Sequence, residues 1–359
     1  MFISKFIKKY KNYKSYQEIH NWGEKSAKAD FPNLDSDFPK ITADEMKQIQ
    51  ATWPGIGVCQ KDVAWIRIYK REHGFSPYAI GSYQSTIFRK ILNPKQELHA
   101  FDNKALCDIY FPEIKYAKPF VRRIKNNFYD LEMNHLSTEQ AIEILAAQKE
   151  YIIKPALDTL CGDGVHKVTL SEDKNKAIAQ IKESFAQQSS DFIAQEVIKQ
   201  HPEIARLNPS SFNCFRVTTV YINGKFDYCT ILKVGKAIKG NFRDNWNSSY
   251  LIGVSNDGIL NDFGYDNQIN RVDQTDNGIK FGGLQMPMFK EIVASCEKWH
   301  KHFFPNCGML GFDISLDDQN QIRVIEINVT EPGFVGEQLC CGTFFEPFRD
   351  DIVNHILGK

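Results

Sequence analysis

The chain has no surplus of either charge, since 44 Lys and Arg balance 44 Asp and Glu over 359 residues. A protein that holds nucleic acid through its phosphates needs a basic excess, so bulk electrostatics give no case for that partner. No apolar run approaches the roughly 20 residues that span a bilayer. The first residues contain no apolar stretch of signal-peptide length, so a cytoplasmic protein without a membrane span is expected. The nine cysteines include no Cys-x-x-Cys pair and only one vicinal pair, Cys340-Cys341. That pattern suits free thiols in a reducing compartment and argues against a disulfide framework or a zinc site. No Gly-Lys-Ser/Thr follows a glycine loop, so the Walker A phosphate loop is absent. None of the nine histidines sits in a spacing typical of a Ser/His/Asp or Cys/His nucleophile. Internal repeats and low-complexity tracts are also missing.

What is present is a globular composition, 42% hydrophobic and 25% charged, long enough for two or three structural units. The basic, aromatic opening MFISKFIKKYKNYKSY reads either as a solvated helix or as a segment that touches an anionic membrane surface. Residues 1–98 mix short helical patterns with loops, and Tyr78 to Pro94 reads as a helix that stops at Asn93-Pro94. Residues 99–190 alternate strands and helices. Ser137-Thr138-Glu139-Gln140 is a capping box, predicting a helix to about Lys149. Tyr151 to Pro155 reads as a short buried strand, and Ser171 opens a helix over Lys174 to Gln187. From Asp191 strands dominate: Phe192–Ile198, Phe215–Ile222, Lys225–Val234, 309–316 and 321–328, with a helix from Met288 to Phe303 before the last pair. The order is α+β, in units 1–98, 99–190 and 191–359.

The segment Gly311 to Gly333 carries the sharpest chemistry. Two alternating apolar runs flank the turn cluster Asp317-Asp318-Gln319-Asn320. A hairpin folded about that turn is expected to set Asp313 opposite Val324 and Glu326 opposite Gly311. Residues two apart share a strand face, so Asp313, Glu326 and Asn328 project together. Asp313 and Glu326 would be diagonal neighbours, roughly 7–8 Å apart at the backbone. Such a face is either a solvated polar surface or a hard-cation site of two carboxylates and an amide oxygen, suited to Mg²⁺ carrying phosphates. Glu326 and Asn328 interrupt an otherwise apolar strand, which favours the second reading.

Upstream residues bear on the same choice. Lys154 ends a strand, and Gly162 and Gly164 follow in the next loop. Glycines let backbone N–H groups approach phosphate oxygens and a lysine adds a point charge, while a surface lysine beside an ordinary turn has the same sequence. Lys104 starts a helix, where a lysine either meets an anion or simply faces solvent, and Ala194 to Ile198 is either a plain strand or a strand end entering a connection that can read an adenine edge. Arg216 and Lys233 are cations inside apolar, β-branched strands, suited to carboxylate or phosphate recognition or to a structural ion pair.

Together these residues resemble the ATP-grasp superfamily: Lys104, Lys154-Pro155, the glycine loop, Gln195 to Ile198, Arg216, and Asp313 with Glu326-x-Asn328. The similarity runs over about residues 99–335. Gln200-His201-Pro202, the run Leu207 to Thr218, and Tyr78 to Asn93 look like the sugar-transfer-associated group, found among bacterial surface-polysaccharide genes. The resemblance implies two α+β subdomains that grip ATP, residues 99–190 and 191–359, after an N-terminal α/β region. It implies that Lys104 and Lys154 contact ATP phosphates and that Gly162 and Gly164 lie in a covering lid. Glu196, Val197 and Ile198 would hold adenine, and Asp313, Glu326 and Asn328 would bind one or two Mg²⁺ ions. Arg216 and Lys233 would face the γ-phosphate and the acceptor carboxylate.

The chain departs from the group's pattern in two places. Its glycine loop is sparse, and Gly311 stands where many relatives carry a basic residue before the metal aspartate. The polar stretch 235–285, with Asn241, Arg243, Asp244, Asn245, Asn247 and Gly253, is a place for substrate contacts. The implied activity is a carboxylate–amine ligase working through an acyl phosphate on small acids and amines, sugar-linked ones among them. Its rivals are an ATP-grasp kinase, a non-catalytic nucleotide-binding module, and a hydrolase built on the Asp313/Glu326 pair.

Overall fold

The computed structural model describes residue 31 and residues 33–56, 63–93, 98–157, 164–237 and 248–357. Single helical turns are left unnumbered below. The described N-terminal residues form helices α1 (Ala43–Thr52), α2 (Ala64–His73) and α3 (Ser82–Leu92) and contribute no strand, so the α/β character expected there is absent among them. A capping box between Thr42 and Glu45 starts α1. These helices have no core of their own. Trp53, Tyr83, Ile87 and Phe88 pack against Val220, Met309, Phe334, Phe345 and Phe348 from the far end of the chain. Asn93, at the end of α3, is fully buried; its amide donates to the carbonyls of Met309 and Val329 and accepts from Met309 N–H. It thereby ties α3 to the strands that carry Asp313 and Glu326.

The first sheet contains β1 (Pro119–Ile124), β2 (Asn127–Tyr129), β3 (His135–Leu136), β4 (Glu150–Pro155), β5 (His166–Thr169) and β6 (Phe192–Gln195), in the order β3-β2-β1-β6-β4-β5. Helices α4 (Thr138–Ala146) and α5 (Lys174–Ala186) bury Ile142, Leu145, Ile181 and Phe185 against Val121, Tyr151, Ile153 and Phe192. The expected capping box at Ser137 and Gln140 is formed. At α5 the cap is Asp173 rather than Ser171, whose hydroxyl instead accepts from Asp173 N–H at 3.2 Å.

The boundary at residue 191 needs correction. Strand β6 was expected to open the second unit, yet it is hydrogen-bonded between β1 and β4 in the first sheet. Phe192 and Ala194 then fill the first core, which is the physical reason for its place.

The second sheet is antiparallel, in the order β11-β10-β9-β8-β7-β12-β13. Its strands are β7 (Cys214–Ile222), β8 (Lys225–Gly235), β9 (Ser249–Val254), β10 (Leu260–Tyr265), β11 (Arg271–Val272), β12 (Met309–Leu316) and β13 (Ile322–Asn328). Helix α6 (Phe289–Phe303) covers one face, where Ile292, Cys296 and Trp299 meet Phe215, Val217, Phe312 and Ile314. On the other face Ile231 and Leu251 pack with α2 and with α7 (Val335–Cys341) through Ala64, Ile68 and Leu339. Helix α8 (Arg349–Leu357) closes the chain. Alternation along β7 therefore buries Phe215 and Val217 under α6 and turns Arg216 toward the face that carries the polar site. The polar stretch 235–285 holds β9, β10 and β11. Of its residues named above, only Gly253 lies among the described residues.

Candidate functional site

The β12–β13 hairpin forms in a different register from the one expected. Asp313 is paired directly with Glu326, and Gly311 with Asn328, rather than Asp313 with Val324. The ladder then shifts so that Ile314 pairs with Val324, leaving Ile325 as the extra residue of a bulge. The bulge keeps Asp313, Glu326 and Asn328 on one face and brings the two carboxylates opposite each other instead of diagonal. It also turns the Ile325 carbonyl toward the first sheet, where it accepts a hydrogen bond from Lys154 Nζ at 3.1 Å.

Asp313 is 6% exposed and engaged on both oxygens. Arg216, its direct partner on β7, donates from Nε and Nη2 at 2.7 Å each, a bidentate pairing. Lys233 Nζ, one strand further, is 3.0 Å from Asp313 Oδ1. Burial by itself would raise the Asp313 pKa, but these two cations hold it well below the usual carboxylate range. Arg216 also reaches Glu337 on α7, Nη1 to Oε1 at 3.5 Å, and Thr218 Oγ1 lies 3.3 Å from the same oxygen. Burial pushes the Glu337 carboxyl up, against the pull of Arg216. Glu337 was missed from sequence; the available signal was a lone acid in the otherwise non-acidic run Val335 to Cys341.

Gly311, where many relatives carry a basic residue, lies beside the Arg216 side chain. A Cβ there would sit 3.5 Å from the Arg216 side chain and 3.5 Å from Asn328 Cβ. Arg216, from the neighbouring strand, thus passes over this position and supplies a cation beside the acid.

The first unit contributes the lysines. Lys104 Nζ is 3.0 Å from Glu326 Oε1. Its loop is clamped to the end of β13, because Asp102 accepts from Val329 N–H at 3.1 Å, from Thr330 N–H at 3.3 Å, and from the Thr330 hydroxyl. Lys154 is 7% exposed, and burial brings its ammonium down to about 8 although Glu326 pulls the other way. Both lysines line a narrow cavity between the sheets, together with Asp102, Cys107, Tyr116, Gln195, Ile325 and Glu326.

Of the expected lid, Gly162 lies outside the described residues, and its far side runs into β5. Gly164 is described, with φ +70°, and a Cβ there would approach Pro155 Cγ to 2.6 Å. Only glycine fits that turn. In the expected hinge, the Glu196 carboxylate accepts from Lys118 N–H at 2.8 Å and pairs with Arg323. Glu196 N–H donates to Lys118 O at 2.9 Å, and Val197 and Ile198 continue as a half-buried connection without regular structure.

Among the described residues no three His, Cys, Asp or Glu side chains converge on a metal position. The oxygen donors on the shared face are Glu326, Asn328 and the enclosed Asp313. That set fits a hard cation which takes one or two carboxylates and completes its shell with phosphates and water.

This geometry accompanies a family match. The chain belongs to the sugar-transfer associated ATP-grasp family, whose model matches residues 83–348. Members of ATP-grasp families bind ATP, typically with Mg²⁺. No curated protein matches the sequence. Among solved structures the chain is similar to D-alanyl-alanine synthetase A from Vibrio cholerae, with 13% identity over 72% of this chain and 64% of that one, at a TM-score of 0.42. It is also similar to N5-carboxyaminoimidazole synthetase from Staphylococcus aureus complexed with ADP, with 13% identity over 75% and 54% of the two chains and a TM-score of 0.41. The chain thus spans less than two thirds of either structure, and the assignment rests on the family model. No helix among the described residues is long and apolar enough to cross a membrane.

Proposed function

We propose that the protein is an ATP-dependent carboxylate–amine ligase that forms an amide through an acyl phosphate, on small acids and amines of bacterial surface-polysaccharide or related secondary biosynthesis. The observation that carries this reading is the convergence of two lysines of the first unit on one bend of β13, Lys104 on the Glu326 carboxylate and Lys154 on the adjacent Ile325 carbonyl. The two sheets would then be the halves that hold ATP, with β6 and the connection after it at the base.

In this reading Lys104 and Lys154 take the phosphates. Arg216 has five N–H donors; two are committed to Asp313 and one leans toward Glu337. The remaining donors are available to an incoming carboxylate or to the γ-phosphate, and Lys233 stands beside them. Glu326, Asn328 and Asp313 would hold Mg²⁺, which would supply charge neutralisation at the phosphates. A carboxylate oxygen of the acid attacks the γ-phosphorus and ADP leaves. The amine then attacks the acyl carbon, loses a proton, and phosphate leaves. The chain's contribution is positioning and charge compensation in a site that keeps water from the acyl phosphate.

The test is ADP release across paired acids and amines, with hydroxylamine replacing the amine in parallel. A ligase yields ADP and a hydroxamate. ADP without hydroxamate would replace this reading by a kinase, and no ADP with any pair would replace it by a binding module.

A further inference from the structure

Three cysteines gather where α7 meets the second sheet, and the chemistry above uses none of them. Cys340 and Cys341 end α7, and Cys229 lies on β8. Among the described cysteines Cys341 alone is exposed, while Cys229 and Cys340 are buried. The helix end lies directly on the strands. A Cβ at Gly253 of β9 would sit 2.9 Å from the Cys340 carbonyl oxygen, so the glycine admits this approach. At that depth Cys341 Sγ donates to Thr230 O at 3.4 Å, and Cys340 Sγ to Leu251 O at 3.7 Å. Thr230 adjoins Cys229, and the Cys229 and Cys341 thiols are hydrogen-bonded neighbours. That contact, together with burial, pushes the Cys229 thiol well above its usual range. Cys340 and Cys341 are adjacent on a helix and point apart, so the facing pair is Cys229 with Cys341.

The pair adjoins the polar site. Cys229 is the β8 partner of Thr218 on β7. Thr218 Oγ1 lies 3.3 Å from Glu337, which precedes Cys341 by one helical turn and shares its face. Glu337 in turn reaches Arg216.

We infer that Cys229 and Cys341 form a site of reversible oxidative modification, closed to a disulfide by small hydroperoxides. The exposed Cys341, as thiolate, attacks a peroxide oxygen. The O–O bond breaks, hydroxide leaves and takes up the proton that Cys341 gave to solvent, and Cys341 becomes a sulfenic acid. The Cys229 sulfur then attacks the Cys341 sulfur. The S–O bond breaks, and the leaving hydroxide takes the Cys229 proton as water. Two thiols are oxidised to one disulfide and one hydrogen peroxide is reduced to two waters. Bonded sulfurs stand about 2.05 Å apart, closer than any hydrogen-bonded pair. Closing the bond therefore draws the end of α7 onto β8 and shifts Glu337 against Arg216. Oxidation should then slow ADP release, and this consequence alone rests on the function proposed above.

The full chain, reduced and then exposed to hydrogen peroxide, is alkylated, digested and mapped by mass spectrometry. A peptide pair joined through Cys229 and Cys341, lighter by two hydrogens and released by dithiothreitol, is expected. Cys341→Ser should lose it and keep its melting temperature. Absence of that pair from oxidised wild type, or a bond from Cys341 to any other cysteine or to a second chain, overturns the site. ADP release by the wild type should fall about fivefold or more on oxidation, the lower end of coupling between linked sites, and return with dithiothreitol. In Cys341→Ser the rate should not respond to peroxide. A wild-type rate unchanged by the bond, or an equal loss in Cys341→Ser, overturns the link to Arg216. No ADP release from the reduced wild type overturns the proposed function instead, and the peptide map still decides the modification site.

Discussion

Asp313 and Glu326 face each other directly across the β12–β13 ladder, because Ile325 bulges out of β13 between their pairing and the next. Two carboxylates so placed repel unless each has its own cation, and each does. Asp313 has Arg216 and Lys233, and Glu326 has Lys104. Their surroundings differ: the Asp313 side chain is 9% exposed and the Glu326 side chain 31%. The two acids should therefore fail in different ways when neutralised.

Glu326→Gln should lower stability less than neutralising Asp313 does, since Glu326 is the more exposed acid and its loss leaves Lys104, rather than both Arg216 and Lys233, without a carboxylate. Magnesium-dependent ADP release should fall by roughly 100-fold or more, the scale of losing one preorganised charge at a phosphoryl-transfer site. Melting curves and an ADP-release assay at saturating acceptor check this, and normal turnover would remove Glu326 from the metal site.

Asp313→Asn should be a stability mutant as well as a catalytic one. It leaves Arg216 and Lys233 buried beside a neutral amide, and breaking a buried pair from one side costs roughly 3–5 kcal/mol. Denaturant unfolding should show a lower midpoint with an unchanged slope, and a midpoint equal to that of Glu326→Gln would contradict the enclosed network.

Lys154 sets a pH limit on phosphate binding. Its ammonium titrates near 8 in the free protein, mainly through burial. Affinity for MgATP should be flat below that value and fall toward about tenfold per pH unit above it. In Lys154→Met the affinity should be weaker throughout and the alkaline fall lost; a wild-type profile in that variant would separate Lys154 from the phosphates.

His300 sets an acid limit on the fold. Its Nε2 faces Cys307 O at 2.9 Å and so carries the proton, leaving Nδ1 to accept from the Thr219 hydroxyl at 2.7 Å. Burial lowers its pKa from 6.5 to about 4, so the unfolded chain takes up a proton before the folded one does. The stability from neutral His300 is fully present above pH 6.5 and is lost as pH falls toward 4, a change of about 3 kcal/mol. His300→Gln should show a shallower loss over that window in pH-resolved melting.

Much of the site was legible because strand alternation is a local rule. Asp313, Glu326 and Asn328 had to share a face in any antiparallel pairing that kept Phe312, Ile314 and Ile327 inside. The capping box at Ser137 was legible for the same reason, since its hydrogen bonds close within four residues. The bulge at Ile325 was not. Nothing in Val-Ile-Glu-Ile marks an extra residue, and the gain that holds it, a hydrogen bond from Lys154, comes from 171 positions away. Glu337 and the Cys229–Cys341 pair were hidden likewise, because their meaning depends on which distant groups surround them.

By itself the sequence determined the alternation, the caps, the α+β order and the residue types that meet ATP-grasp chemistry, because each follows from neighbours within a turn or a strand. Tertiary structure decided the pairing of β6 with the first sheet, the register that sets Asp313 against Glu326, and which cation compensates which acid. Those outcomes depend on the burial of whole faces and on charges brought together from opposite ends of the chain, which no local pattern encodes.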